Sequence, residues 1–374
     1  MCDARRLDHL GVLEQRWLLG GVVEQPHAAA EQHRHEMDPE LVDQTRRQTA
    51  TSSQSHRSGV RLPAMERLAP TELVIRPQEE RDAADAAALC HEADDAEVLS
   101  EAGWLNRLHR RRASERSRWL GLSAELDGLV VGMGQAGLNT MTTTPGAAWA
   151  GVRVRAAERR RGVGSALHEA LIEHLRSIGA TDVTTFFRWT EDAEHWAEAR
   201  GWRRMLTAPL IALDPRNVPE PAPPPGFECV GAAEYGRLEA IFELIRAAII
   251  DEPGPVPQDD FRYEEFLDEW KDPDSDHEAG TIVLHGDLPV AFSEVKIAGT
   301  RAQHAGTATL PEYRGRGLAS AAKRRTLRVA AAKGVTRITT SNAEGNAAMR
   351  AINRKLGFEP IGEHVIFGRS VELV

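Results

Sequence analysis

Cysteine is scarce: Cys2, Cys90 and Cys229 stand far apart in a chain of 374 residues. That spacing forms neither a disulfide framework nor a zinc-ligand pattern, so no metal centre is expected and a reducing, cytoplasmic setting is. Long apolar runs are missing too. The best stretch, residues 240–250, carries Glu243 and Arg246 and reads as an amphipathic core helix. It falls well short of the roughly 20 apolar residues that cross a bilayer, so no membrane partner is expected. Positive charge is not in excess either. A net charge of −10 argues against wholesale attraction to nucleic acid. Tyrosine occurs only at Tyr235, Tyr263 and Tyr313, a shortage that matters for the chemistry below.

A GxxxxGK[ST] phosphate loop is absent. A GxGxxG is present at residues 132–137 (GMGQAG), but it leads into LNTMTTTPG, which is no helix, and no acidic residue follows until Glu158. A dinucleotide site is therefore rejected, and the run is read as a glycine-rich hairpin strand.

Residues 1–64 are rich in Gln, His, Arg and Ser, with poor periodicity. They read as a disordered N-terminal extension and not as a signal peptide, since Glu14 and Arg16 interrupt its apolar part. Scattered His27, His33 and His35 read as solvated side chains.

What remains is patterned and doubled. Residues 66–213 alternate strands and helices, with a hairpin turn at Asp127-Gly128 and a helical stripe of Leu167, Leu171, Leu175 and Ile178 closed by Gly179. Residues 214–226 hold six prolines in thirteen positions, a semi-rigid linker. Residues 227–374 repeat the order, with a hairpin at Gly286-Asp287 and a helix from residue 318 to 332. Arg314 − Arg159 is 155 and Gly357 − Gly201 is 156. Two landmarks with nearly the same offset mark a duplicated domain.

In each copy an Arg/Gly turn joins a strand to a helix: ERRRGVGSAL at residues 158–167 and PEYRGRGLAS at 311–320. A helix start offers about four unpaired N–H groups and a positive dipole end. Small residues there let a ligand come close, and arginines add charge-assisted bonds, so the pattern suits a pyrophosphate.

These residues resemble the GNAT acyl-CoA N-acetyltransferases. The family's Q/R-x-x-G-x-G/A motif is matched by Arg159, Gly162 and Gly164, and by Arg314, Gly317 and Ala319. Its helix ending in a G-F step is matched by NRKLGF (353–358) and AEARGW (197–202). The resemblance covers residues 71–374 in two copies and is similar in plan to tandem members such as mycothiol synthase. It implies an α/β (α+β) fold of two tandem domains, each a mixed, mostly antiparallel sheet flanked by helices. It implies an acetyl-CoA-dependent acyltransferase that moves acetyl to a primary amine of a small molecule or peptide by direct attack in a ternary complex. The chain would act as a monomer or homodimer. A CoA-binding sensor without transferase activity stays open as the alternative.

Carried over residue by residue, the pyrophosphate seat is Arg159, Arg160, Arg161, Gly162, Val163, Gly164 and Ser165 in the first copy. In the second it is Arg314, Gly315, Arg316, Gly317, Leu318, Ala319 and Ser320. The pantetheine arm would pair with the preceding strand at Val152 and Val154, or at Thr307, Thr309 and Leu310, and meet Asn342 and Asn346. Asn346 also suits a helix N-cap. An amine that titrates near 10 costs about 4 kcal/mol to deprotonate at pH 7, so a general base is expected. Glu294 and His304 are the candidates. Many members hold a tyrosine three residues before the LGF step, protonating the thiolate. Here Asn353 stands there in the second copy and Ala197 in the first. Ser341 or Asn353 could donate through water. The reading expects CoA binding in both copies and catalysis in the second. The acceptor would lie near residues 99–118 and 251–276, the latter rich in acidic side chains that favour a cation.

Overall fold

The computed structural model describes residues 72–249, 254–343 and 345–372. The expectations for residues 1–64, and for Asp251 and Glu252, fall outside them.

The first half opens with β1 (Val74–Pro77), α1 (Ala83–Ala93) and α2 (Glu101–Ala113). The hairpin β2 (Leu120–Leu126) and β3 (Leu129–Leu138) follows, then β4 (Ala147–Val154), α3 (Val163–Ser177), β5 (Asp182–Arg188), α4 (Glu191–Glu198) and the long β6 (Arg203–Leu213). The second half runs β7 (Glu228–Gly231), α5 (Ala232–Tyr235), α6 (Leu238–Ile249), α7 (Tyr263–Trp270), β8 (Thr281–His285), β9 (Leu288–Ala298), β10 (Arg301–Thr309), α8 (Leu318–Ala332), β11 (Arg337–Ser341), α9 (Ala347–Leu356) and β12 (Glu359–Ser370).

Local chemistry sets the ends of these elements. Ser100 accepts from the Gly103 N–H at the start of α2, Thr190 from Ala193 at α4, and Asn346 from Met349 at α9. Gly357 closes α9 at φ +91°, a conformation most side chains resist. GMGQAG lies within β3, as the strand reading expects. Its glycines serve packing: a Cβ at Gly132 would meet Val163 at 2.8 Å, and one at Gly134 would meet Leu171 at 3.0 Å. Helix α3 therefore lies unusually close on that strand.

Twelve strands form one continuous sheet in the order β1-β2-β3-β4-β5-β12-β6-β11-β10-β9-β8-β7. The halves exchange their last strands. β12 of the second half pairs antiparallel with β5 of the first, Phe187 opposite Val365. β6 of the first half pairs antiparallel with β11 of the second, Thr340 opposite Ile211. β12 and β6 then lie side by side at the centre. The cores follow the exchange. Val365, Phe367 and Val371 join Leu167, Leu171 and Leu175 under α3, while Ile211 and Leu213 pack with Leu327 and Ile338 under α8. The proline-rich segment is tethered too: Val218 is buried in that second core, and Arg328 donates to its carbonyl at 3.1 Å.

In each half one pair of strands is parallel, and each pair is short. β4 matches β5 only from Ala147/Asp182 to Trp149/Thr184. β10 matches β11 only from Arg301/Arg337 to Gln303/Thr339. Beyond those residues no ladder joins the strands, which leaves a wedge between them, next to the turn that begins α3 or α8.

Candidate functional site

Each wedge leads into a turn of the same shape. β4 ends in a 3₁₀ turn at Ala156–Glu158, and α3 starts after Gly162 at φ +85°. β10 ends in a 3₁₀ turn at Pro311–Tyr313, and α8 starts after Gly317 at φ +82°. No side chain caps either helix, so first-turn N–H groups are left to face an anion. Arg159 Nε donates to the Val154 carbonyl and Arg314 Nε to the Thr309 carbonyl, both at 3.2 Å. These arginines brace the strand-to-turn corner. One position differs: Gly315 has φ +76°, and its counterpart Arg160 is held at φ +64°. Arg160 pairs with exposed Asp192, Arg161 with Glu158, and Arg316 lies over the Tyr313 ring.

The wedge walls differ more. The β9–β10 ladder shifts register between His304 and Gly306, while the β3–β4 ladder runs without a shift. Arg301 − Ala147 is 154 before this point, and Arg314 − Arg159 is 155 after it. The second half thus carries one extra residue, Ala305, as a β-bulge that turns backbone groups out of the ladder. In the first half Val152, Val154, Phe187 and Trp196 pack on the apolar core. Arg200 stacks on Trp196 at 4.1 Å and donates to Ser165 Oγ at 2.7 Å.

Past the second short ladder the strands lead to polar side chains: Thr309 ends β10, and Asn342 follows β11. Asn353 Nδ2 donates to Asn342 Oδ1 at 2.5 Å, both residues buried. Thr309 Oγ1, Asn346 Nδ2 and Asn353 Oδ1 are buried and have no hydrogen-bond partner among the described residues. Orphaned groups of this kind are costly unless a ligand satisfies them. A hydroxyl, a donor and an acceptor fit the amide-bearing arm of a CoA thioester.

The two candidate bases do not meet. His304 pairs with Val295 across the ladder and Glu294 with Gly306, so the pleat sends them to opposite faces. His304 is buried on the α8 face, its Nε2 2.9 Å from Ser293 Oγ and 3.3 Å from Thr307 Oγ1. Burial, and then the nearby Lys323 charge, pushes it well below the ordinary imidazole range. Glu294 lines a cavity on the other face with Phe266, Trp270, His277 and Ala305.

Three features escaped the sequence reading. Lys323 on α8 is only 1% exposed. Its Nζ is 4.0 Å from Met349 Sδ and 5.6 Å from the Phe358 ring centroid. Burial pushes it down to about 7. The equivalent place in the first half holds His168, which accepts from Trp202 Nε1 at 3.2 Å and is pushed down to about 4 by burial and by Arg369 and Arg200. Secondly, Ser341 Oγ lies 3.1 Å from His364 Nδ1, and His364 Nε2 lies 2.6 Å from Asp94 Oδ2. Thirdly, Glu265 on α7 is pushed up to about 7 by burial, against the pull of Arg116 at 2.6 Å. A buried lysine cannot be told from a surface one by composition, and the 94/341/364 group has no local spacing. The one clue to Lys323 was its place on the inner side of an alanine-rich helix.

Among the described residues no helix is long and apolar enough to cross a membrane, and no group of three or more His, Cys, Asp or Glu could hold a metal.

The family model described as "Acetyltransferase (GNAT) family" matches residues 82–207 and again 240–358. Among solved structures, a tandem GNAT protein from the clavulanic acid biosynthesis pathway is 22% identical, covers 81% of this chain and 100% of that one, and has a TM-score of 0.61. A GCN5-related N-acetyltransferase from Sphaerobacter thermophilus is 17% identical over 81% of this chain and 97% of that one, with a TM-score of 0.60. A putative acetyltransferase from Pyrococcus horikoshii is 14% identical over 83% and 93%, with a TM-score of 0.54. No curated protein sequence matches the chain.

Proposed function

From a chain that belongs to the GNAT acetyltransferase family, with the family pattern present twice, we propose an acetyl-CoA-dependent N-acetyltransferase whose reaction takes place in the second half. The observation that carries this reading is the polar wedge between β10 and β11. It combines a β-bulge, unpartnered buried polar groups and an uncapped helix start. Both turns seat a CoA pyrophosphate on backbone amides, and Gly162 and Gly317 let it approach. Acetyl-CoA brings the acyl group as a thioester, the activated form a neutral amine can attack.

The protein's part is to hold and to move protons. Thr309, Asn342, Asn346 and Asn353 hold the arm. A backbone N–H freed at the Ala305 bulge faces the developing oxyanion, a contribution worth about 3–4 kcal/mol in comparable sites. On the cavity side Glu294 receives a cationic amine under the acidic α7 and draws off a proton through water. His304, held neutral, fixes the bulge through Ser293 and Thr307. Lacking a tyrosine, the site relies on the thiol's own acidity, near 8.5, for departure.

A second reading applies to the first half, whose wedge is apolar and closed by Trp196 and Arg200. It suits a seat that binds CoA without transferring from it.

The test is calorimetry with acetyl-CoA followed by thiol release across amines, aminoglycosides, amino acids and peptide N-termini. Binding with amine-dependent release supports the enzyme. Binding with release at background supports a sensor. No binding overturns both.

A further inference from the structure

Asp94, Ser341 and His364 are far apart in sequence and come from both halves. Ser341 ends β11, His364 lies on exchanged β12, and Asp94 follows α1 of the first half. They are 3%, 2% and 8% exposed respectively. The hydrogen bonds run in one direction. A carboxylate can only accept, so His364 Nε2 carries the ring proton toward Asp94 at 2.6 Å. In the singly protonated ring Nδ1 is then an acceptor, and the Ser341 hydroxyl donates to it at 3.1 Å. The Ser341 proton is therefore committed inward, and its oxygen lone pairs point away from the imidazole. Phe186 packs on the ring at 4.6 Å between centroids and fixes its plane. Arg188 sits 3.8 Å from Asp94.

The place of Ser341 gives this chain its meaning. The β10–β11 ladder ends at Gln303/Thr339, and Thr340 Oγ1 makes a last bridge to the His304 carbonyl at 3.3 Å. Ser341 is the next residue on one lip of the wedge, and the Ala305 bulge is the next on the other. The first half supplies more than Asp94. Its Ala96 carbonyl accepts from Thr339 Oγ1 at 2.9 Å, and its Ser100 N–H donates to Asp274 at 2.9 Å. The residue equivalent to Ser341 in the first half, by the 155 offset, is Phe186, so no such chain exists there.

We propose that Ser341, His364 and Asp94 form a proton relay for the acyl transfer of the second half, with the first half contributing the carboxylate. This rests on the function proposed above. As the amine nitrogen bonds to the thioester carbonyl carbon and the carbon–sulfur bond breaks, an amine proton passes to Ser341 Oγ. The hydroxyl proton moves to His364 Nδ1, and the imidazolium faces Asp94. The electron pair of the broken bond leaves on sulfur as thiolate, and His364 returns its proton through Ser341 and water, so that thiolate and proton together make up the free CoA thiol. Ser341 is the catalytic residue, and His364 and Asp94 position and charge-balance it.

The experiment uses the full chain and the variants Ser341→Ala, Ser341→Cys and Asp94→Asn. Proton–nitrogen NMR of the imidazoles should show the His364 proton on Nε2 in the wild type, shifted far downfield, and displaced in Asp94→Asn but not in Ser341→Ala. Thiol release is then followed with acetyl-CoA and two probe amines. Benzylamine is cationic at pH 7 and hydroxylamine is already neutral. With benzylamine, Ser341→Ala and Asp94→Asn should each lower kcat by about 10²-fold, with the acetyl-CoA Kd unchanged. With hydroxylamine, whose nitrogen must shed the same proton as it bonds to carbon, the loss should be similar. Ser341→Cys, which keeps a transferable proton, should recover part of the rate. A His364 proton found on Nδ1 overturns the relay. So do variants that match the wild type on benzylamine, or a loss confined to benzylamine, which would put the effect on the ammonium proton that Glu294 draws off. A wild type that binds acetyl-CoA yet acetylates neither probe nor any amine of the wider panel instead overturns the function on which the relay rests.

Discussion

The two halves share a backbone frame and differ in what fills it. Both have a short parallel pair, a 3₁₀ corner braced by an arginine, a left-handed glycine and an uncapped helix of fifteen residues. In the first, Val152, Val154, Phe187 and Trp196 beyond the parallel pair pack on the apolar core. In the second, threonine, serine and asparagine stand there, around a bulge that the first lacks. The proposed phosphate end is thus a matter of backbone shape, which two rather different sequences satisfy. On the reading proposed above, the reacting end is a matter of side chains, and only the second half carries them.

The largest expected effect separates the two turns. Gly317→Glu puts a carboxylate at the second phosphate seat and should lower turnover more than 100-fold. Gly162→Glu should leave it within about threefold. Both glycines sit at φ above +80° with open space around them, so each variant bears a similar strain of roughly 1–2 kcal/mol, and thermal melting controls for it. Equal losses in the two variants would erase the distinction between the halves.

Next comes the buried amine. With Lys323 lowered to about 7, the unfolded chain binds more protons than the folded one between about pH 7 and pH 10. Stability should therefore rise with pH over that window. Lys323→Met should remove this slope and stabilise the protein at pH 7 by about 2 kcal/mol, read from urea midpoints at pH 7 and 9. The first-half counterpart has the same sign in a lower window. His168, pushed down to about 4, should lose the protein stability as pH falls from about 6.5 toward 4. His168→Phe should flatten that limb alone.

Thr307→Val with Thr309→Val copies the Val152 and Val154 of the first half. Acetyl-CoA should then bind about tenfold more weakly at the second site, the loss of one or two hydrogen bonds, seen in the weaker calorimetric phase. An unchanged affinity would mean that the threonines play no part in holding the arm. The smallest effect belongs to Arg160→Gly, which copies Gly315. Relief of a left-handed arginine is partly offset by the greater freedom of glycine when unfolded, and the exposed Asp192 pair contributes little. A gain below 1 kcal/mol is expected by thermal denaturation.

Much of this was legible in the sequence. The hairpins at Asp127-Gly128 and Gly286-Asp287, the leucine stripe of α3 and the strand at Ala147–Val154 all follow from residue spacing. The Arg/Gly turns were legible as strand-to-helix corners because backbone geometry there demands glycine. Pairing across the halves was not legible. Residues 203–213 and 359–370 have similar alternation, and nothing local tells one which β-strand edge it will join. The bulge at Ala305 shows in the sequence only as an offset that changes from 154 to 155. Side-chain groups such as Asp94, Ser341 and His364 depend wholly on that pairing, so they stayed hidden with it.

The strand exchange also sets a schedule. β5 ends at Arg188 and its partner β12 begins at Glu359. At typical synthesis rates of about 5–20 residues per second, the second strand leaves the ribosome roughly ten to thirty seconds after the first. Throughout that interval the nascent first half has made the β5 edge, Val183 to Arg188, without its final partner, and only residues 203–213 are at hand as a substitute. The molecule can complete its central sheet only when residues 359–370 arrive.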